Sequence, residues 1–116
     1  MDQPARFRVL IVDDQPNWRR LLEDLLIDEY EVVAVESYPM AAAAILGNQE
    51  KPFHVAVIDM RLVDADSNNE QGLDLANQLK KMSRYTNTII VTGYAKVRTV
   101  IKAFQELNVF AFVEKY

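Results

Sequence analysis

Three aspartates, a threonine and a lysine stand where short apolar runs stop. Asp13 and Asp14 follow the run 7–12, Asp59 follows 53–58, Thr92 follows 88–91, and Lys115 comes just after 109–113. Carboxylates brought close together repel and raise one another's proton affinity. A hard divalent cation relieves this, and Mg²⁺ takes a few carboxylates plus water. Such a site suits phosphate chemistry. The metal neutralises phosphoryl oxygens, Lys115 adds a positive charge and Thr92 offers a hydrogen bond. A carboxylate in the middle can itself be the nucleophile and form an aspartyl phosphate. Taken singly, each residue has a plainer reading. Asp13-Asp14 before Pro16 can cap a helix, Asp59 can end a strand in a turn, Thr92 can cap, and Lys115 can be a solvated charge. The chemistry depends on the fold bringing them together.

The elements that would do so alternate in period. Phe7 to Val12 is apolar, rich in branched residues and too short for a helix, so it reads as a buried strand. Trp18, Leu21, Leu22, Leu25 and Leu26 then recur at helical spacing, with Pro16 in the first turn and Asp14 or Gln15 at the entry. Tyr30 to Val35 is a second strand. Ser37 is placed to cap a helix with Pro39 near its start and Gly47 near its end. Phe53 to Ile58 is a third strand, and a polar stretch follows over 64–71. Leu75, Leu79 and Met82 mark a third helix, and Thr88 to Val91 a fourth strand. Val97, Val100, Ile101, Phe104 and Leu107 mark a fourth helix, and Val109 to Val113 a fifth strand. Strands alternating with helices imply right-handed crossovers and a doubly wound parallel α/β sheet. In such a sheet all strand C-termini share one edge, where ligands bind. A fifth helix would complete the pattern. The chain stops at Tyr116, so that helix is expected to lie outside it, leaving part of one sheet face and the last strand thinly covered.

Composition narrows the function classes. A chain of 116 residues, half of them hydrophobic and 26% charged, fits a single globular domain. It has no cysteine and one histidine, which excludes disulfides, thiolate chemistry and a multi-histidine metal cluster. A net charge of −4 argues against direct nucleic-acid binding by this segment. No apolar run approaches the ~20 residues of a membrane helix. The polar N-terminus does not read as a signal peptide, so a cytoplasmic location is expected.

The chain resembles the receiver domains of two-component response regulators. The motifs are Val9-Leu10-Ile11-Val12-Asp13-Asp14, Val55-Ala56-Val57-Ile58-Asp59-Met60, Ile89-Ile90-Val91-Thr92-Gly93-Tyr94 and Phe112-Val113-Glu114-Lys115, in the family's order and close to its spacing. The resemblance runs from Phe7 to Lys115 and makes residues 1–116 one receiver domain, cut before its fifth helix. It implies a flavodoxin-like strand order 2-1-3-4-5. It implies that Asp59 accepts a phosphoryl group from a histidine kinase or histidine phosphotransfer protein. It implies Mg²⁺ held directly by Asp14, Asp59 and the main-chain carbonyl of Arg61, and by Asp13 through a water. Lys115 would pair with Asp59 or its phosphate. Thr92 would move to hydrogen-bond the phosphate, and Phe112 is the aromatic switch position. The doubly charged group biases a two-state element that passes the signal to an effector domain or protein. A homodimer is compatible with this reading, although the helix often used for it is not in the chain. The domain would catalyse only its own phosphorylation and dephosphorylation.

Several positions depart from the family pattern. The loop after Asp59 is longer than usual. Val63 stands where the family usually has a proline, and Gly72 looks like the displaced glycine before the third helix. Arg61 and Tyr94 sit where side chains modulate phosphate loss, and neither is small, so slow hydrolysis is expected. Two other functions rank lower. A phosphorylation-independent interaction module is disfavoured by the intact acidic set, Thr92 and Lys115. A Mg²⁺-dependent aspartyl-phosphate phosphohydrolase commonly carries a second acid two residues after its nucleophile, where this chain has Arg61. Residues 64–68 resemble the start of a calcium loop. However, Asn69 replaces the turn glycine and Leu75 the bidentate glutamate, which favours a solvated loop. His54 reads as a core or sheet-edge residue, Trp18 as packing, and Arg19-Arg20 and Lys80-Lys81 as solvated helix faces.

Overall fold

The computed structural model describes residues 6–59, 71–83, 85–93, 105 and 110–114. Its elements are β1 (Arg8–Val12), α1 (Pro16–Leu26), β2 (Glu31–Val35), α2 (Tyr38–Gly47), β3 (Val55–Asp59), α3 (Gln71–Met82), β4 (Asn87–Thr92) and β5 (Ala111–Glu114). The helix expected over 97–107 lies outside the described residues, apart from Gln105, which is helical. The strands form one parallel sheet in the order β2-β1-β3-β4-β5, the order that the resemblance implies.

Burial explains why β1 reads as an unbroken apolar run. It lies inside the sheet between β2 and β3, and all five of its residues are buried. Successive side chains take opposite faces. Leu10 and Val12 join Ala56, Ile58 and Ile90 on one face, under Ala41 and Ile45 of α2 and Leu73, Leu75, Ala76 and Leu79 of α3. Each large aliphatic side chain buried there contributes about 1.5–3 kcal/mol. The opposite face belongs to α1 and is the less covered among the described residues. No α1 residue is fully buried, Leu21 and Leu25 are exposed, and Val55, Val57 and Ile89 are only half-buried. In β5, Val113 is exposed as well. This is the asymmetry expected from the element pattern.

The helix ends follow their local chemistry. Ser37 caps α2, its Oγ accepting the Met40 N–H at 3.3 Å, and Pro39 lies in the first turn. α1 has Gln15 as its N-cap without a side-chain capping bond. α3 has Asp74 in its first turn and Lys80 and Lys81 in its last, matching the helix dipole. Gly72, read as preceding the third helix, is its second residue. Where α2 and α3 approach, burial pushes the Tyr38 phenol above its ordinary pKa, and the negative charge of Asp74 adds to the effect.

β3 starts two residues later than its apolar run. His54 Nδ1 accepts the Arg8 backbone N–H at 2.9 Å, so a side chain replaces a ladder bond there. His54 is thus a sheet-edge residue, with the exposed Phe7 ring tilted against it at 4.7 Å. Arg8 is only 8% exposed and ties the same end together. Its guanidinium donates to Glu31 Oε2, Asn48 Oδ1 and the Lys51 carbonyl, and lies 4.8 Å over the Phe53 ring.

Candidate metal centre

A parallel sheet delivers every strand C-terminus to one edge. Val12, the last residue of β1, pairs with Val35 of β2 and Ile58 of β3, so the chain leaves β1 at Asp13 where β3 reaches its last residue, Asp59. Asp59 closes β3 and pairs with Val91, while Thr92 closes β4 one step further. The register alone therefore sets Asp13 and Asp14 beside Asp59. One carboxylate oxygen from each of the three lies within 4.8 Å of the others. Asp13 is 2% exposed, Asp59 4% and Thr92 1%, and Asp14 is half-buried.

Two unit charges that close repel by on the order of 3 kcal/mol at an effective dielectric constant of about 20. Three convergent carboxylates, mostly shielded from water, therefore favour a small multivalent cation. All the donors are oxygens, which suits a hard ion such as Mg²⁺ and disfavours a soft one. The residues present fit that ion.

The turn after β1 is held from several sides. The Asp13 N–H donates to the Val35 carbonyl at 3.1 Å, extending the β1–β2 ladder by one residue. Asp13 Oδ1 accepts the Gln15 N–H at 2.9 Å, so the carboxylate also shapes the entry to α1. Arg19 closes the arrangement. Its Nη1 donates to the Asp13 carbonyl at 2.8 Å, and its Nη2 lies 3.9 Å from Glu36 Oε2, just past the end of β2. The sequence reading of Arg19 as part of a solvated face is corrected here, because the side chain is turned onto the acidic turn. The available signal was a cation in the first turn of a helix, where the dipole disfavours it.

Two of the predicted site residues, Arg61 and Lys115, lie outside the described residues, as do Val63, Tyr94 and the calcium-loop-like stretch 64–68. Phe112 lies in β5, opposite Ile90 of β4. Trp18 is half-buried on α1.

Comparison with known proteins meets this geometry from another direction. The model of the response regulator receiver domain family matches residues 9–116. The chain belongs to that family. It is 31% identical over 99 residues to the alginate biosynthesis transcriptional regulatory protein AlgB of Pseudomonas aeruginosa, covering 84% of this chain and 20% of AlgB. It is 34% identical over 113 residues to the sensory transduction protein LytR of Staphylococcus epidermidis, covering 93% of this chain and 40% of LytR. The chain thus spans between a fifth and two fifths of the length of these relatives. Among solved structures, it resembles a CheY-like receiver domain from Methanospirillum hungatei JF-1 with a TM-score of 0.76 at 26% identity, over 96% of this chain and 82% of that one. The DrrB receiver domain shares the fold, with a TM-score of 0.76 at 23% identity, over 96% and 86% of the two chains.

The chain is therefore a receiver domain of the two-component response regulators. Receiver domains of this family interact with histidine kinases and effector domains, and they bind Mg²⁺ at an acidic cluster. No helix among the described residues is long and apolar enough to cross a membrane.

Proposed function

We propose that this receiver takes a phosphoryl group onto Asp59 in a Mg²⁺-dependent reaction and switches conformation to control an output. The observation that carries the proposal is the convergence of Asp13, Asp14 and Asp59 within 4.8 Å at the C-terminal edge of the sheet. Asp59 is the central member, since β3 lies between β1 and β4. An Asp59 carboxylate oxygen attacks the phosphorus of a phosphohistidine. The P–N bond breaks, and the imidazole leaves with the bonding pair and takes up a proton.

Mg²⁺, when bound, supplies positive charge for the phosphoryl oxygens. Asp14, Asp59 and the main-chain carbonyl of Arg61 would hold it directly, and Asp13 through a water. Lys115 pairs with Asp59 or its phosphate, and Thr92 donates its hydroxyl to a phosphate oxygen. Thr92 and Phe112 then carry the switch, and β4 and β5, paired in register, are the elements that it biases. The partners are a histidine kinase or histidine phosphotransfer protein upstream and an effector domain or protein downstream. The proposed compartment is the cytoplasm, where such kinases are charged by ATP. The chain catalyses no reaction beyond gain and loss of its own phosphoryl group.

The test is to incubate the protein with Mg²⁺ and acetyl phosphate, trap the acyl phosphate by borohydride reduction and map the reduced residue by peptide mass spectrometry. Reduction at Asp59 supports the proposal. Reduction elsewhere moves the acceptor, and no reduction in a folded protein favours an interaction module. Sustained turnover of small phosphate esters would contradict the signalling reading in favour of a phosphohydrolase.

A further inference from the structure

We infer that Arg19 is a positioning residue for the metal site, holding the Asp13-Asp14 turn in the geometry that binds Mg²⁺. This rests on the Mg²⁺ reading proposed above. The acidic turn lies between two fixed elements, β1 and α1, and its geometry depends on what anchors the peptide between them. The Asp13 N–H is anchored to β2 by the Val35 carbonyl at 3.1 Å. The Asp13 carbonyl is anchored to α1 by Arg19 Nη1 at 2.8 Å. Asp13 is thereby gripped at both ends of its backbone, and its carboxylate is oriented by the Gln15 N–H at 2.9 Å.

Three observations set Arg19 apart from an ordinary surface arginine. First, it lies in the first turn of α1, where its own backbone N–H is taken by Gln15 O at 3.0 Å. Helix side chains lean toward the N-terminus, so from this position the guanidinium reaches back over the turn. Second, the placement opposes the helix dipole, and α1 has no acidic residue in its first turn to offset it. A locally unfavourable choice beside a functional site indicates a role in that site. Third, the Arg19 side chain is only 22% exposed, whereas Glu36, its 3.9 Å partner, is 62% exposed. So exposed a partner contributes little to stability. It does offset the guanidinium charge, so Arg19 can hold the turn without presenting a full bare cation to the metal. The planar fork serves both groups at once, which a lysine cannot do.

Mg²⁺ binding by the 116-residue protein and its Arg19→Met, Arg19→Gln and Arg19→Lys variants, followed by isothermal titration calorimetry, tests this. Melting temperature without Mg²⁺ is measured alongside. Arg19→Met keeps the packing of the aliphatic stem and removes the donors, and Arg19→Gln removes the charge with a shorter polar chain. Either variant decides if the other fails to fold. The expected result is Mg²⁺ affinity weakened about 10-fold in Met and Gln, as for other groups that orient metal ligands, with partial recovery in Lys. Unchanged affinity in folded Met and Gln variants with a lowered melting temperature would make Arg19 purely structural. Tighter binding would mean that its charge repels the ion more than its grip helps. Both results overturn the inference. Wild-type protein that binds no Mg²⁺ would instead overturn the Mg²⁺ reading, and this inference with it.

Discussion

Asp14 is the half-buried member of a three-carboxylate cluster, and on the proposed Mg²⁺ reading its charge would serve the cation at the expense of the metal-free fold. Removing that charge should therefore have opposite effects with and without Mg²⁺. Asp14→Asn is expected to raise metal-free stability by about 0.5–2 kcal/mol, as relief of functional-site strain commonly does. The same change should weaken Mg²⁺ binding by at least about 10-fold, at the scale of losing a group that organises the metal. Denaturant melts with and without Mg²⁺ read both effects, and a variant destabilised in the absence of metal would contradict this view of the cluster. At this scale the sequence was legible for residues that end strands. A carboxylate after a buried apolar run has few places to go, and a parallel sheet sends all such residues to one edge. It was not legible for Arg19. Charged residues on a helix look alike in sequence, and the direction of the Arg19 side chain depends on a carbonyl in the preceding turn.

Between elements, the sheet is held at both of its edges by side chains as well as by ladder bonds. At the edge away from the aspartates, Arg8 joins β1 to Glu31 of β2 and to the segment after α2, through Asn48 and Lys51. Arg8→Ala leaves part-buried acceptors without their donor and is expected to cost about 2–3 kcal/mol, read as a lower urea midpoint with little change in slope. In the core beneath α2 and α3, Leu75 of α3 is fully buried among Leu10, Ile58 and Ile90. Leu75→Ala should cost about 2–5 kcal/mol. The contact between α2 and α3 adds a pH signature. Because the folded state raises the Tyr38 pKa above 10.0, the neutral phenol's contribution is complete below that value and is lost as pH rises through the folded pKa. Tyr38→Phe should therefore unfold less readily at alkaline pH than the wild type, with the difference vanishing near neutrality. The strands and the first three helices were readable because apolar runs and period 3.6 are strong signals, whereas the strand order followed from the family resemblance and not from any periodicity. Element ends were less so. β3 starts just after His54, whose side chain takes the Arg8 backbone N–H, a contact that no periodicity records.

For the whole molecule, the proposed metal binding would be linked to folding, since the acidic turn, β1 and β3 come together only when the sheet is assembled. Mg²⁺ at a hundred times its dissociation constant should stabilise the fold by about 2.7 kcal/mol, and the gain should vanish in Asp59→Asn if that carboxylate is a ligand. Among the described residues the two sheet faces are unequal, with a closed core under α2 and α3 and a thinner layer under α1. The switch proposed at Thr92 and Phe112 belongs to β4 and β5, at the side of the sheet where Val113 is exposed, which suits elements that must rearrange.

The central claim is that Asp59 accepts a phosphoryl group with the help of Mg²⁺. Intact-protein mass after incubation with acetyl phosphate, with and without Mg²⁺, in the wild type and in Asp59→Asn, tests it most directly. One phosphoryl group added to the wild type with Mg²⁺, and none without the metal or in the variant, is the predicted result. Equal addition to Asp59→Asn, or none to a folded wild type that binds Mg²⁺ and is offered phosphorylated histidine kinases in turn, would contradict it.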